Sequence, residues 1–131
     1  MNDPTESLIR LRMSTADGHY GGGLVDGARI LQLFGDAVTE VLIRHDGDEG
    51  LMRAEDAEFL APVHAGDYLE VRAKLVAVGN SSRTFECTAH KIIELVDPED
   101  SAANVLPEPV LVVKCKAVAV VPMEKRRKVT A

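Results

Sequence analysis

No stretch of the 131-residue sequence approaches the length of a membrane span, and its Met1–Ser7 start is polar and acidic, without the apolar core of a signal peptide. The expectation is a soluble, cytoplasmic protein. Cysteine is scarce. The two present, Cys87 and Cys115, both fall in strand-like runs, and in a reducing compartment they read as small core hydrophobes rather than a disulfide. His45, His64 and His90 are scattered without metal-ligand spacing. No internal repeat is visible. Positive charge is also short: 15 Lys and Arg face 21 Asp and Glu, for a net charge of −6. Four of the positive residues sit together in Lys125–Lys128, so the body of the chain is more acidic still. That argues against a general nucleic-acid binder but leaves room for a ligand with a few phosphates, which needs only a local basic rim.

What is there is enough for one domain, residues 1–131, with a real core: 46% of the residues are hydrophobic. Leu8–Met13 alternates and reads as a first strand, and Ser14–Gly23 as a polar, glycine-rich loop. Leu24–Arg44 has the periodicity of a long helix. Two-residue alternation then takes over. Strands are expected over Leu51–Ala61, closed by Pro62, over Leu69–Val78, and over Arg83–Val96. The turn Gly79–Ser82 makes the last two a hairpin. Asp97–Pro109 reads as an acidic, proline-rich loop, and Val110–Val121 as a final, central strand. One helix followed by hairpin-connected strands is an α+β fold with an antiparallel sheet.

On a wheel of about 100° per residue, Leu24, Ile30, Phe34, Ala37, Val38 and Val41 lie within one apolar half. Gly27 and Gly35 fall in the same arc. Each glycine costs roughly 1 kcal/mol against alanine, and close approach of the helix to a sheet is the natural compensation. The other arc carries Asp36 and Glu40 but also Val25, Leu33 and Ile43. Such a mixture fits a subunit interface, and it equally fits an amphipathic helix with a wet side.

The triplet Gly21–Gly23 is not a phosphate loop, because no Lys-Ser/Thr follows at the required spacing. Nor is it a dinucleotide fingerprint, since Asp26 stands where glycine is needed. It does allow a ligand to lie against backbone at a helix N-terminus, where free N–H groups and positive dipole suit an oxygen that becomes anionic. A plain flexible turn is the competing reading. Asp36 and Glu40, at i and i+4, share a helix face, and neighbouring carboxylates raise one another's proton affinity. They suit a base and a partner for a cation, or simply a solvated face. His19 and Tyr20 stand at the glycine entry. Asp46–Gly50 imitates the start of a calcium loop, but the sixth position is Leu51 and the twelfth Ala57, so calcium is rejected and a solvated turn is expected.

The stretches "HYGGGLVDGA", "FGDAVTE", "RHDGDEGL" and "EFLAPVHAGD", with Glu108-Pro109, resemble the aminoacyl-CoA ammonia-lyases, the β-alanyl-CoA and 3-aminobutyryl-CoA enzymes of the hotdog superfamily. The likeness runs from about Leu8 to Lys128, and "LVDGARILQLFGDAVTE" favours the 3-aminobutyryl enzyme. The resemblance implies a hotdog fold, a curled antiparallel sheet wrapped around one long central helix. It implies reversible loss of ammonia from a 3-aminoacyl-CoA, most directly 3-aminobutyryl-CoA to crotonyl-CoA, as in lysine fermentation. It implies no metal and no organic cofactor, CoA being part of the substrate. It also implies self-association as dimers, as a trimer of dimers, with the ligand between subunits beside the helix.

On that footing Glu40 is the preferred base for the C2 proton and Asp36 the partner of the substrate ammonium. Backbone near Gly22, Gly23 and Leu24 holds the thioester oxygen, while His19 or Tyr20 positions the acyl portion. Arg83, Arg126 and Arg127 are the candidates for the CoA phosphates. A hotdog acyl-CoA thioesterase, an enoyl-CoA hydratase and a non-catalytic acyl-CoA-binding module are the alternatives.

Overall fold

A computed structural model describes residues 5–97 and 99–127. The chain runs β1 (Glu6–Arg12), a single 3-10 turn (Gly21–Gly23), α1 (Gly27–Asp46), β2 (Leu51–Phe59), β3 (Tyr68–Val78), β4 (Ser82–Leu95) and β5 (Ala103–Val120), closing on a second 3-10 turn at Met123–Lys125. The strands form one open antiparallel sheet in the order β1-β3-β4-β5-β2. The expected hairpin is β3–β4, paired from Val78 opposite Arg83 to Tyr68 opposite Ile93 with register shifts at Leu75–Ala77 and Tyr68–Leu69. Among the described residues no helix is long and apolar enough to cross a membrane.

The helix lies on one face of the sheet, because alternation supplies that face. Leu69, Val71 and Ala73 of β3, Phe85, Cys87 and Ala89 of β4, and Val113, Cys115 and Ala117 of β5 are all buried. They meet Ile30, Leu33, Phe34, Ala37, Val38 and Val41 of α1. Each such large aliphatic or aromatic side chain contributes about 1.5–3 kcal/mol on leaving water. Ser7 ties β1 to the helix, its hydroxyl donating to the Ala37 carbonyl at 2.8 Å. Cys87 and Cys115 oppose one another across β4 and β5 as free, buried thiols. Burial pushes them up to about 12 and about 11 respectively, which leaves them unreactive.

Several expectations move. The helix starts at Gly27, not Leu24, because Leu24 bridges to His64 in extended conformation and Asp26 caps the helix by accepting from the Arg29 N–H. It ends on Gly47, whose φ of 74° makes the usual left-handed cap. Val25 and Leu33, placed on the mixed arc, belong to the core at 7% and 3% exposure; only Ile43 stays out. The supposed loop Asp97–Pro109 supplies the first third of β5. Pro107 and Pro109 are tolerated there because they fall in the register shift between the Lys91–Val110 and Ile93–Val105 pairings with β4, and β2 pairs only with Val113–Val120 on the other side. The last strand, β5, is interior as expected, between β4 and β2, with β4 in the middle of the sheet.

The glycines divide. A Cβ on Gly27 would lie 2.6 Å from the Phe59 ring, so close approach to the sheet is real at that position. A Cβ on Gly35 would meet nothing within 4 Å. Gly35 opens space instead of closing it.

Candidate functional site

That space is a groove of about 460 Å³ between one flank of α1 and the edge strand β2. Gly35, Asp36 and Thr39 form its helix side, and Met52 and Glu55 its strand side. At the helix N-terminus it is continued by a shallow hollow that holds His19, Asp26 and Arg29, with Ala28 and Gln32 common to both. The result is a trough along the helix. From Ala28 to Thr39 it spans about 16 Å at 1.5 Å per residue.

Asp36 is exposed within this trough. Glu55 reaches it from β2 because residues 55, 57 and 59 face the helix: Ala57 packs on the core and Phe59 on Gly27. The Glu55 side chain is half-buried, with Oε1 sealed from solvent and without a hydrogen-bond partner among the described residues. Burial pushes its carboxyl above the usual range, the sense expected when no cation offsets desolvation.

Glu40 does not join them. Its carboxylate accepts from Arg44 Nε at 2.8 Å and is 40% exposed. It opens on the opposite flank, beside Glu6, Leu8 and Lys74 near the β1 edge. Four residues along a helix also means about 40° around it, and here that rotation carries the second acid out of the groove holding the first. Within one chain, the groove that Asp36 lines is shared with Glu55 rather than with Glu40.

At the other end of the trough, His19 Nε2 lies 2.6 Å from Asp26 Oδ2, and its ring sits 4.4 Å from that of Tyr20. The His19 hydrogen bond, joined by that of the Arg29 N–H, holds the Asp26 carboxyl below its ordinary range. Arg29 in turn donates from Nε to Asp17 at 2.8 Å, fixing the preceding loop.

The glycine triplet is a tight turn in which Gly22 and Gly23 have φ of 72° and 76°, conformations that favour glycine. Its amides are partly committed: Gly23 donates to the Tyr20 carbonyl at 3.1 Å, and the Gly23 carbonyl accepts from Ala65 at 2.8 Å. Gly22 and Gly23 face a separate cavity of about 880 Å³, walled also by Arg12, Thr15, His64 and Leu95. The loop therefore stands between two hollows, with His19 on one side and Gly22 and Gly23 on the other.

The expected CoA contacts need correction. Arg83 is 2% exposed and is not available to a phosphate. It grips Asp46 with Nε and Nη2, both at 2.9 Å, and donates from Nη1 to the Gly79 and Ser82 carbonyls. Asp46 is consequently not part of a solvated turn. Burial pushes its carboxyl up, and the hydrogen bonds and charges of Arg83 and His45 outweigh this, so it ends below the ordinary range. Arg126 turns inward, with Nε and Nη2 shut off from solvent and unpaired among the described residues. Arg127 and Lys125 are exposed, and the Arg127 N–H donates to the Asp46 carbonyl at 2.8 Å, tying the tail to the helix C-terminus. Lys128 lies outside the described residues.

Glu55 is the residue that sequence reasoning missed. The available signal was parity: a carboxylate two residues from Ala57 and four from Phe59, on the strand face that alternation assigns to the core.

Comparison with known proteins gives concordant findings. The model of the thioesterase superfamily matches residues 22–94. A 3-aminobutyryl-CoA ammonia lyase of Acetoanaerobium sticklandii is 53% identical over 125 residues, covering 94% of this chain and 99% of that protein. Among solved structures, the β-alanyl-CoA:ammonia lyase of Clostridium propionicum superposes with a TM-score of 0.93 at 35% identity, over 96% of this chain and 91% of that one. A hexameric hotdog-fold thioesterase of Campylobacter jejuni shares the fold, with a TM-score of 0.72 at 18% identity over 94% of this chain and 88% of its own.

Proposed function

We infer what this protein does from one premise: the chain belongs to the aminoacyl-CoA ammonia-lyases of the thioesterase superfamily. It eliminates ammonia reversibly from a 3-aminoacyl-CoA, with 3-aminobutyryl-CoA and crotonyl-CoA as the pair. The observation that carries this is 53% identity along nearly the whole of both chains to a named 3-aminobutyryl-CoA ammonia lyase. Amino-acid fermentation, of lysine in particular, is the fitting metabolic setting.

The chemistry places few demands on the protein. The thioester acidifies the hydrogens on C2, and the leaving nitrogen departs from an ammonium that already carries its protons. What is required is a carboxylate to accept the C2 proton, an anion to hold the ammonium, and shelter from water that would otherwise attack the thioester. This reaction calls on neither a metal nor an organic cofactor. In our assignment Asp36 pairs with the substrate ammonium inside the trough. His19, oriented by Asp26, and Tyr20 position the acyl portion at its mouth. The turn at Gly22–Leu24 lies against the thioester end.

A second copy of the chain pairs along the free edge of β2 and roofs the trough. Support comes from the apolar side chains along and just beyond that edge: Leu51, Phe59 and Leu60 are 67%, 55% and 49% exposed. Three such dimers form the assembly, in keeping with the hexameric thioesterase of the same fold.

The deciding assay mixes the purified protein with ammonia and either crotonyl-CoA or acryloyl-CoA, following thioester products and free thiol together. Expected is formation of 3-aminobutyryl-CoA without thiol release, faster than β-alanyl-CoA formation. Thiol release with no amino adduct makes the protein a thioesterase. Hydration of crotonyl-CoA without ammonia addition makes it a hydratase, and tight CoA binding with no turnover makes it a binding module.

A further inference from the structure

We propose that Glu55, not Glu40, is the catalytic base that removes the C2 proton of the 3-aminoacyl-CoA. The assignment rests on the lyase reading and sharpens it at the reacting atoms.

Three observations lead to it. Glu55 and Asp36 line the same groove, from strand and helix respectively, whereas Glu40 opens on the far flank and is already bound to Arg44. Glu55 Oε1 is sealed from solvent and without a partner among the described residues, a costly state for a carboxylate that only packs. Opposite it, Gly35 leaves room where any side chain would project. The groove therefore holds two acids in unlike settings. Asp36 is solvent-exposed on the helix side, where it faces the ammonium. Glu55 is desolvated and uncompensated, with burial raising its proton affinity toward what a carbon base needs. The acidic groups around it are Asp36 from α1 and Glu49 from the α1–β2 loop, Asp56 on its own strand, and the Cys87 and Cys115 thiols of the sheet. Among the described residues no arginine or lysine lines the groove.

The step balances as follows. The Glu55 carboxylate takes the proton from C2. The C2–H electron pair becomes the C2–C3 double bond, and the C3–N bond breaks with its pair on nitrogen. Ammonia leaves and collects the proton from the Glu55 carboxyl, so the net products are the enoyl-CoA and ammonium.

The test is C2 hydrogen exchange of 3-aminobutyryl-CoA in deuterated buffer, with CoA affinity measured alongside. Glu55→Gln should lower exchange and ammonia elimination together by at least about 100-fold, with CoA affinity within threefold of the wild type. Glu58→Gln, an exposed carboxylate on the same strand facing away from the helix, should behave as the wild type. If Glu55→Gln fails to fold, Glu55→Asp replaces it: the retained carboxylate, drawn back by one methylene, should exchange at least tenfold more slowly at unchanged CoA affinity. Exchange by the folded variant within threefold of the wild-type rate overturns the assignment while leaving the lyase reading intact. A wild-type protein that neither exchanges C2 nor adds ammonia to crotonyl-CoA overturns both.

Discussion

Gly35 sits in mid-helix, where glycine is unfavourable, and replacing it should change stability and activity in opposite directions. Alanine is better than glycine in a helix interior by about 1 kcal/mol. A Cβ at this position meets no heavy atom within 4 Å, so no clash offsets the gain. Gly35→Ala should therefore stabilise by up to about 1 kcal/mol and raise the melting temperature by about 3–6 °C for a domain of this size. Gly35→Leu should retain most of that gain, since leucine is nearly as good a helix former. Its side chain, however, projects into the groove between Asp36 and Glu55. Misplacing a reacting group by about 1 Å can cost about 100-fold, so kcat/KM for ammonia addition to crotonyl-CoA should fall by about 10- to 100-fold in Gly35→Leu. Gly27 is the control on the same helix: its added Cβ would lie 2.6–2.7 Å from two atoms of the Phe59 ring. The Phe59 ring is 55% exposed and must swing aside to admit that Cβ, so Gly27→Ala should gain less stability than Gly35→Ala. Calorimetry and a spectrophotometric enoyl-CoA assay on the three variants read both effects. A destabilised Gly35→Ala would mean that the space beside the helix is not open. A stabilised Gly35→Leu with wild-type turnover would mean that the acyl group does not lie in the trough.

The Arg83–Asp46 pair gives a prediction about folding rather than catalysis. Arg83→Met strands a buried carboxylate and should cost about 3–5 kcal/mol in denaturant unfolding, and a loss below about 1 kcal/mol would mean that the pair is not load-sharing. The pH dependence follows from the same contact. The folded Asp46 carboxyl titrates below the ordinary aspartate range, so its contribution is present above that range and is lost as pH falls through the lower folded pKa. Asp46→Asn should flatten the acid limb of stability against pH, and an unchanged limb would show that other carboxylates set it. At the chain's end, Lys125 and Arg127 are exposed while Arg126 is turned inward. Lys125→Glu with Arg127→Glu should accordingly weaken CoA binding at low ionic strength, with the deficit shrinking by about 0.5 M salt as screening shortens. Affinity equal to wild type at both salt levels would remove the tail from the CoA site.

Local patterns announced local structure well. The 3.6-residue period marked α1, Gly79–Ser82 marked the β3–β4 hairpin, and alternation marked the buried face of β3. The errors came where one local signal was read without its partner. Leu24–Asp26 looked helical by hydrophobicity, but an aspartate before Gly27 is a better cap than an interior residue. Pro107 and Pro109 looked like loop chemistry, and it takes the break in the β4–β5 register, together with the shortness of β2, to explain why a strand tolerates them. Arg83 and Asp46 looked like surface charges because each is, in its own neighbourhood, a polar residue beside a turn. Their mutual burial joins positions 37 apart in sequence, and nothing in either neighbourhood signals it.

The site was legible on the helix and illegible on the strand for the same reason. A helical wheel gives the angle of Asp36 relative to Glu40, but it does not say where the sheet ends, and the sheet's edges decide which of two diverging acids looks into a groove. Those edges are set by a crossover. The strand β2 follows α1 directly, yet it takes its place at the far edge beside β5, opposite β1. Its register with β5 couples Glu55 to Ala117, and that pairing brings a carboxylate against the flank of α1 that carries Gly35. A glycine unfavourable in its helix and a glutamate unfavourable in its strand are each a small local violation. Faced across one groove, they are its two sides, and the two violations make sense together only as the walls of that space.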